Sequence, residues 1–208
     1  MISIQRLFGK EDQFFNLLVA SAVEARQSIV ALTVILRHEK SPSLGEFAEV
    51  RKKDKAIKQE ISDLLVKTFV TALEREDIEE LSTMLYKIPK TSEKFAERYL
   101  ISEDKITVID FTQHAAMLDE ATGIVVEMVQ TLRKGMDIVR IKELNDRMQT
   151  IEGNADKLML ECLRDLYSGK YDTLLVVIVS DLYDLLEKVF DRCRDVGSVV
   201  KQIAYKNS

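Results

Sequence analysis

Turn-forming and cross-linking residues are scarce in this sequence. Seven glycines and two prolines in 208 residues leave little material for the tight connections of a strand-rich fold. Leu, Glu, Lys, Ala, Val and Ile dominate instead, so long helices joined by short turns are expected. Only two cysteines occur, Cys162 and Cys193. Each lies among apolar neighbours in a helical pattern, which suits buried free thiols better than a disulfide or a thiolate metal site and implies a reducing, cytoplasmic setting. An excess of positive charge is also missing: 30 Lys and Arg against 35 Asp and Glu give a net charge of −5. The signs are interleaved, which speaks against a nucleic-acid surface. The opening MISIQRLFGKEDQFF is broken by Arg6, Lys10, Glu11 and Asp12 and lacks the apolar core of a signal peptide. The run LLVVIVSDLYDLL is interrupted by Ser180, Asp181 and Asp184. No later segment reads as apolar for the length a membrane span needs, so a soluble chain, peripheral to a membrane at most, is expected.

What is present is helical periodicity. A hydrophobic content of 46% suffices for a real core, and the pattern predicts six helices in an all-α fold. The first runs from about 12 to 37, with Phe15, Leu18, Val19, Ala22 and Ile29 at three- and four-residue spacing. HEKSPSLGE, with Pro42 and Gly45, marks a break. A second helix spans about 44–70 and a third about 75–100, kinked at Pro89. The pattern then restarts with helices over about 112–133, 138–166 and 173–204, the last two joined by a turn at Ser168-Gly169-Lys170.

Three helices followed by three more point to an internal repeat, about 12–100 and 112–205 within one domain. A shift of 101 positions aligns Val50 with Ile151, Ile57 with Leu158, Leu65 with Leu166, Leu81 with Leu182, Leu85 with Leu186 and Ile88 with Val189, without a gap. The expected architecture is a pseudo-symmetric pair of three-helix bundles.

The acids of the second half are unusually spaced. Glu152 and Asp156 lie one turn apart on the same side of a helix, a repulsive arrangement. In the last helix Asp184, Glu187, Asp191 and Asp195 follow at three- and four-residue steps. Two readings stand side by side. The stripes are solvated faces of charged helices, or they converge from two helices to hold a metal ion whose charge removes the repulsion. The Glu-x-x-His step of a di-iron bundle is absent: three residues before His38 and His114 stand Ile35 and Phe111. A lone His near a helix end usually caps or faces solvent, and neither is assigned a role.

Glu152-x-x-x-Asp156, Asp184-x-x-Glu187-x-x-x-Asp191, the REDIEEL that opens the third helix and the DRCRDV of the sixth resemble the PhoU-like phosphate-transport regulators. The resemblance is nearest to the branch of about this length that accompanies Pit-type phosphate transporters. It implies a six-helix bundle of two three-helix repeats with a carboxylate metal cluster in each half. It also implies a non-enzymatic role in phosphate uptake or phosphate-responsive signalling, exercised through a transporter or signalling partner. The metal ligands would be Glu152, Asp156, Glu187 and Asp191, with Asp184 a weaker candidate. The metal would be divalent or trivalent, with iron, zinc, nickel, manganese and magnesium all compatible with carboxylates.

The first half departs from that pattern. Moving back by 101, the four ligands fall on Arg51, Lys55, Tyr86 and Lys90, and cations there repel a metal. Only the second repeat is therefore expected to keep a site. The three cations are either solvated or paired with Asp54 and Glu93, or they hold the surface positive toward phosphate or an acidic partner segment. A carboxylate-bridged metal enzyme, a phosphohydrolase or oxidase, and a metal-free helical adaptor are the alternative functions. The rival enzyme lacks a nearby His and a Gly-rich phosphate loop. Self-association is compatible with the long amphipathic helices, but the sequence does not set its order.

Overall fold

The structure, a computed structural model, describes residues 4–37 and 44–207, the side chains of 4–12 excepted. His38 and the break expected at Pro42 lie outside the described residues. Six helices follow in order: α1 Ile4–Leu36, α2 Gly45–Lys67, α3 Arg75–Ser102, α4 Thr112–Arg133, α5 Ile138–Leu166 and α6 Thr173–Lys206, with a short 3-10 turn at Glu103–Lys105. Among the described residues there is no strand.

The helix ends follow from local chemistry. Asp137 caps α5, its carboxylate accepting from the Arg140 amide at 3.0 Å. Asp172 caps α6, accepting from the amides of Leu174 at 2.9 Å and Leu175 at 3.2 Å. At the far end of α2 the Arg75 guanidinium donates to the carbonyls of Leu65 (2.5 Å) and Thr68 (2.8 Å), so acceptors that the helix leaves open are filled from the start of α3. The turn before α5 uses Gly135 at φ 115° and Met136 at φ 57°, and the turn before α6 uses Gly169 at φ 87°, a region where glycine carries no Cβ penalty. α3 is assigned helical on both sides of the buried Pro89.

Within each repeat the three helices pack on one another. α1 also lies against α4, and α3 against α6. The helices therefore form two parallel rows, α2-α1-α4-α5 and α2-α3-α6-α5, with α2 and α5 at the two edges. α3 and α6 run antiparallel. Lys206, at the end of α6, bonds to Glu74 (3.1 Å) and Asp77 (2.7 Å) at the start of α3, while Arg98 pairs with Asp181 nearer the other ends. One hydrophobic core runs through both repeats. The 101-residue register holds in burial: Val50 and Ile151, Leu65 and Leu166, Leu81 and Leu182, Leu85 and Leu186, Ile88 and Val189 are all buried, and Ile57 and Leu158 are both half-buried.

Two expectations change. Gln13–Leu36 of α1 is, by length and composition, long and apolar enough to cross a membrane. Its only charges are Glu24 and Arg26, and its apolar residues Leu18, Ala22, Ile29 and Leu32 are buried against α2, α3 and α4. The segment serves here as the central helix of the bundle. Of the thiols, Cys193 is buried, its pKa pushed up to about 12 by burial, but Cys162 is only half-buried. It lines a cavity of about 310 Å³ with Tyr171, Tyr183 and Asp165.

Candidate functional site

α5 and α6 pack side by side, and the groove between them gathers the five acids. Glu152 faces α6, where Arg194 and Asp195 stand three and four residues after Asp191. Arg194 lies between the acids: its guanidinium donates to Glu152 and forms ion pairs with Asp191 at 2.9 Å and Asp195 at 3.5 Å. Arg192 adds a second bond to Asp195 at 3.1 Å. Asp156, Asp184 and Glu187 line the same groove and are exposed. Burial, then the neighbouring charges of Asp191, Asp156 and Asp184, raise the Glu187 carboxyl above its usual range.

The donor set as arranged does not fit a metal ion. Among the described residues no three His, Cys, Asp or Glu side chains converge in a geometry that could hold one, and two of the expected ligands are engaged by Arg194. Carboxylates bring the charge a cation needs, but here a guanidinium supplies part of the neutralisation through one hydrogen bond and two further ion pairs.

The matching groove of the first repeat lies between α2 and α3. Arg51 donates from Nε to Glu93 at 3.1 Å and from Nη2 to the Tyr86 hydroxyl at 2.8 Å. Its guanidinium carbon stands 4.4 Å from the centre of the Tyr86 ring, and the Lys58 ammonium stands 4.7 Å from it. Lys55 and Lys90 are exposed beside them. Of the two partners expected for these cations, Glu93 is confirmed. Asp54 is not: it is 0% exposed and faces α1, where it accepts a 2.8 Å bond from the Ser21 hydroxyl.

Moved forward by 101, Arg51 becomes Glu152 and Glu93 becomes Arg194. The two repeats thus carry the same cross-helix ion pair with its charges exchanged, the partners 42 residues apart in each. Arg194 was the residue missed from the sequence, and applying the repeat register to Glu93 as well as to the acids would have found it. Arg194 and Glu152 are 38% and 19% exposed, so the pair is partly shielded. Its coupling in a double-mutant cycle with Glu152→Gln and Arg194→Met is expected to be about 1 kcal/mol, measured by urea unfolding. A coupling indistinguishable from zero would show the pair to be solvated side chains only.

His114 is not the solvated residue that its place near a helix end suggested. It is 1% exposed, packed against the rings of Phe111 and Tyr183 at centroid distances of 6.1 and 5.7 Å. Burial pushes its pKa down to about 4.

No family model matches the chain. Curated relatives match over nearly its whole length. It is 24% identical over 98% of its residues and 97% of theirs to a protein of Rhizobium meliloti (strain 1021) named "Putative pit accessory protein". It is 23% identical over 96% of its residues to the UPF0111 protein YkaA of Bacillus subtilis (strain 168), of which it covers 98%. Among solved structures, a PhoU-like protein from Shewanella oneidensis superposes with a TM-score of 0.77 at 16% identity, over 93% of this chain and 99% of that one. That likeness is one of fold. The chain is PhoU-like in its six-helix architecture, and its sequence likeness runs along the full length of the Pit-accessory kind.

Proposed function

We propose that this chain is a non-enzymatic accessory or regulatory protein of inorganic phosphate transport, working in the cytoplasm by contact with a membrane transporter or with a protein that signals phosphate supply. The observation that supports this reading is the end-to-end match to the Rhizobium relative, whose name ties it to Pit transport. A PhoU-like fold agrees with it. The test is phosphate uptake in cells that carry or lack the chain, together with affinity capture of a co-expressed Pit-type transporter. Altered uptake and a captured transporter are the expected results. Unchanged uptake with no capture would end the proposal. The rival phosphohydrolase would instead show phosphate-releasing turnover that disappears in the Glu152→Ala/Asp156→Ala variant.

A metal-bound second repeat is a second reading, favoured by one observation: Asp191, Asp156 and Asp184 lie close enough to Glu187 that their charges add to the effect of burial in raising its carboxyl. It requires Arg194 to leave Glu152 and Asp191, so that both join Asp156, Asp184 and Glu187. Elemental analysis after gel filtration without chelator decides it, on the wild type and on Glu152→Ala/Asp191→Ala. Metal in the wild type and none in the variant carries this reading. With Arg194 holding the groove, the expected result is a metal-free wild type and an Arg194→Ala variant that gains thermal stability on adding Mn²⁺ or Mg²⁺.

A further inference from the structure

The exchanged charges have a geometric consequence that does not depend on the transport reading. The row α2-α3-α6-α5 forms one broad side of the molecule, with the α2/α3 groove toward one edge and the α5/α6 groove toward the other. The pseudo-two-fold that interchanges the repeats passes between α3 and α6, perpendicular to this side. The two grooves are therefore equivalent in backbone and equidistant from the midline, but opposite in charge. The first presents Arg51, Lys55, Lys58 and Lys90, with Glu93. The second presents Glu152, Asp156, Glu187 and Asp191, with Arg194. Had both grooves kept the same sign, two copies placed face to face would repel at each.

From this we infer that the protein forms a two-fold dimer through the α2-α3-α6-α5 side, the cationic groove of each copy resting on the acidic groove of the other. An axis lying in the plane of this side, perpendicular to the line joining the grooves, carries the α2/α3 groove of one copy onto the α5/α6 groove of its mate. The same rotation makes the reciprocal contact, so the interface closes and each charge complement is made twice. One end of this side is not purely polar. One turn beyond the Arg98–Asp181 pair, Ile101 of α3 and Val177 of α6 come to the same level, 87% and 61% exposed, with Leu174 at 56% one turn further on α6. Exposed apolar side chains at one end of the α3–α6 seam add dry contact to an interface that is otherwise polar and charged.

The test is sedimentation velocity of the full chain, with chelator present, at about 0.05 M and about 0.5 M salt, where the Debye length falls from about 14 Å to about 4 Å. The wild type is expected to be a dimer in low salt and to dissociate in high salt. Two variants then examine the pairing: Lys55→Glu/Lys90→Glu makes both grooves acidic, and Asp156→Lys/Glu187→Lys makes both cationic. All four positions are exposed, so the fold is not at stake, and unchanged circular dichroism checks this. Each variant alone is expected to be monomeric, with Kd raised at least about tenfold. An equimolar mixture of the two is expected to recover a dimer, because each groove again meets its opposite. A wild type that stays monomeric at about 0.1 mM in low salt overturns the inference and leaves the grooves to an unlike partner. So does a dimer indifferent to salt and to both variants, or a mixture that stays monomeric.

Discussion

Asp54→Asn is expected to stabilise the protein at mildly alkaline pH by on the order of 3 kcal/mol. Asp54 is fully buried on α2. One carboxylate oxygen accepts from Ser21, and the other has no hydrogen-bond partner among the described residues. Burial pushes its pKa up to about 6 from 3.8. Glu24 adds to the rise, and the Ser21 bond and the charges of Arg51 and Lys58 oppose it. A carboxyl that holds its proton more tightly folded than unfolded favours the native state below pH 3.8, and that advantage is lost as the pH rises through about 6. At pH 8 the wild type therefore buries a charge that folding disfavours, and the neutral amide keeps the acceptor for Ser21 without it. Urea unfolding at a series of pH values should show the gain at pH 8 and its disappearance near pH 4. Equal stability of the two proteins at pH 8 would mean that Arg51 already neutralises the carboxylate in full.

His114 works in the other direction. Its pKa lies near 4 when folded, against 6.5 for an unperturbed imidazole, because burial among Phe111 and Tyr183 disfavours the imidazolium more than Asp110 favours it. Neither ring nitrogen has a hydrogen-bond partner among the described residues. The unfolded chain takes up the proton first, so this contribution is intact above pH 6.5 and is lost as the pH falls through about 4, a change on the order of 3 kcal/mol. Over that window Asp54 gains what His114 loses, and in the wild type the two slopes largely offset each other. His114→Phe, which keeps an aromatic ring in the cluster, should leave the Asp54 slope exposed and become more stable relative to wild type as acid is added. Asp54→Asn should expose the opposite slope. Parallel pH profiles for the three proteins would refute both assignments.

The helices were legible because their apolar spacing and ends carry local signals. Asp137 and Asp172 cap α5 and α6 at the expected starts, and α4 and α5 run over the predicted 112–133 and 138–166. Position along a core stripe was equally legible but went unread for polar residues. Asp54 continues the series Val50, Ile57 and Ile61, and His114 lies between Phe111 and Leu118, all of them in core-facing steps. A charged residue on such a stripe reads as an interruption until a partner is found on another helix, here Ser21, 33 residues away. The candidate groove was half legible. Like charges at one-turn spacing identified Glu152 and Asp156, whereas the counter-charge of Glu152 arrives from Arg194, 42 residues after it. No local pattern announces a contact over that distance.

The pairing of α1 with α4 and of α3 with α6 also bears on the order in which the chain can complete itself. Faces of α1 and α3 are covered by helices from the other repeat, and Lys206, which ties α6 to Glu74 and Asp77, follows them by 132 and 129 residues. During synthesis the first repeat must wait, with that apolar surface open, while about a hundred further residues are made, on the order of 10 s at ribosomal rates. Half a chain is therefore a sticky nascent intermediate, and a ribosome stalled between the repeats would leave a substrate for chaperones.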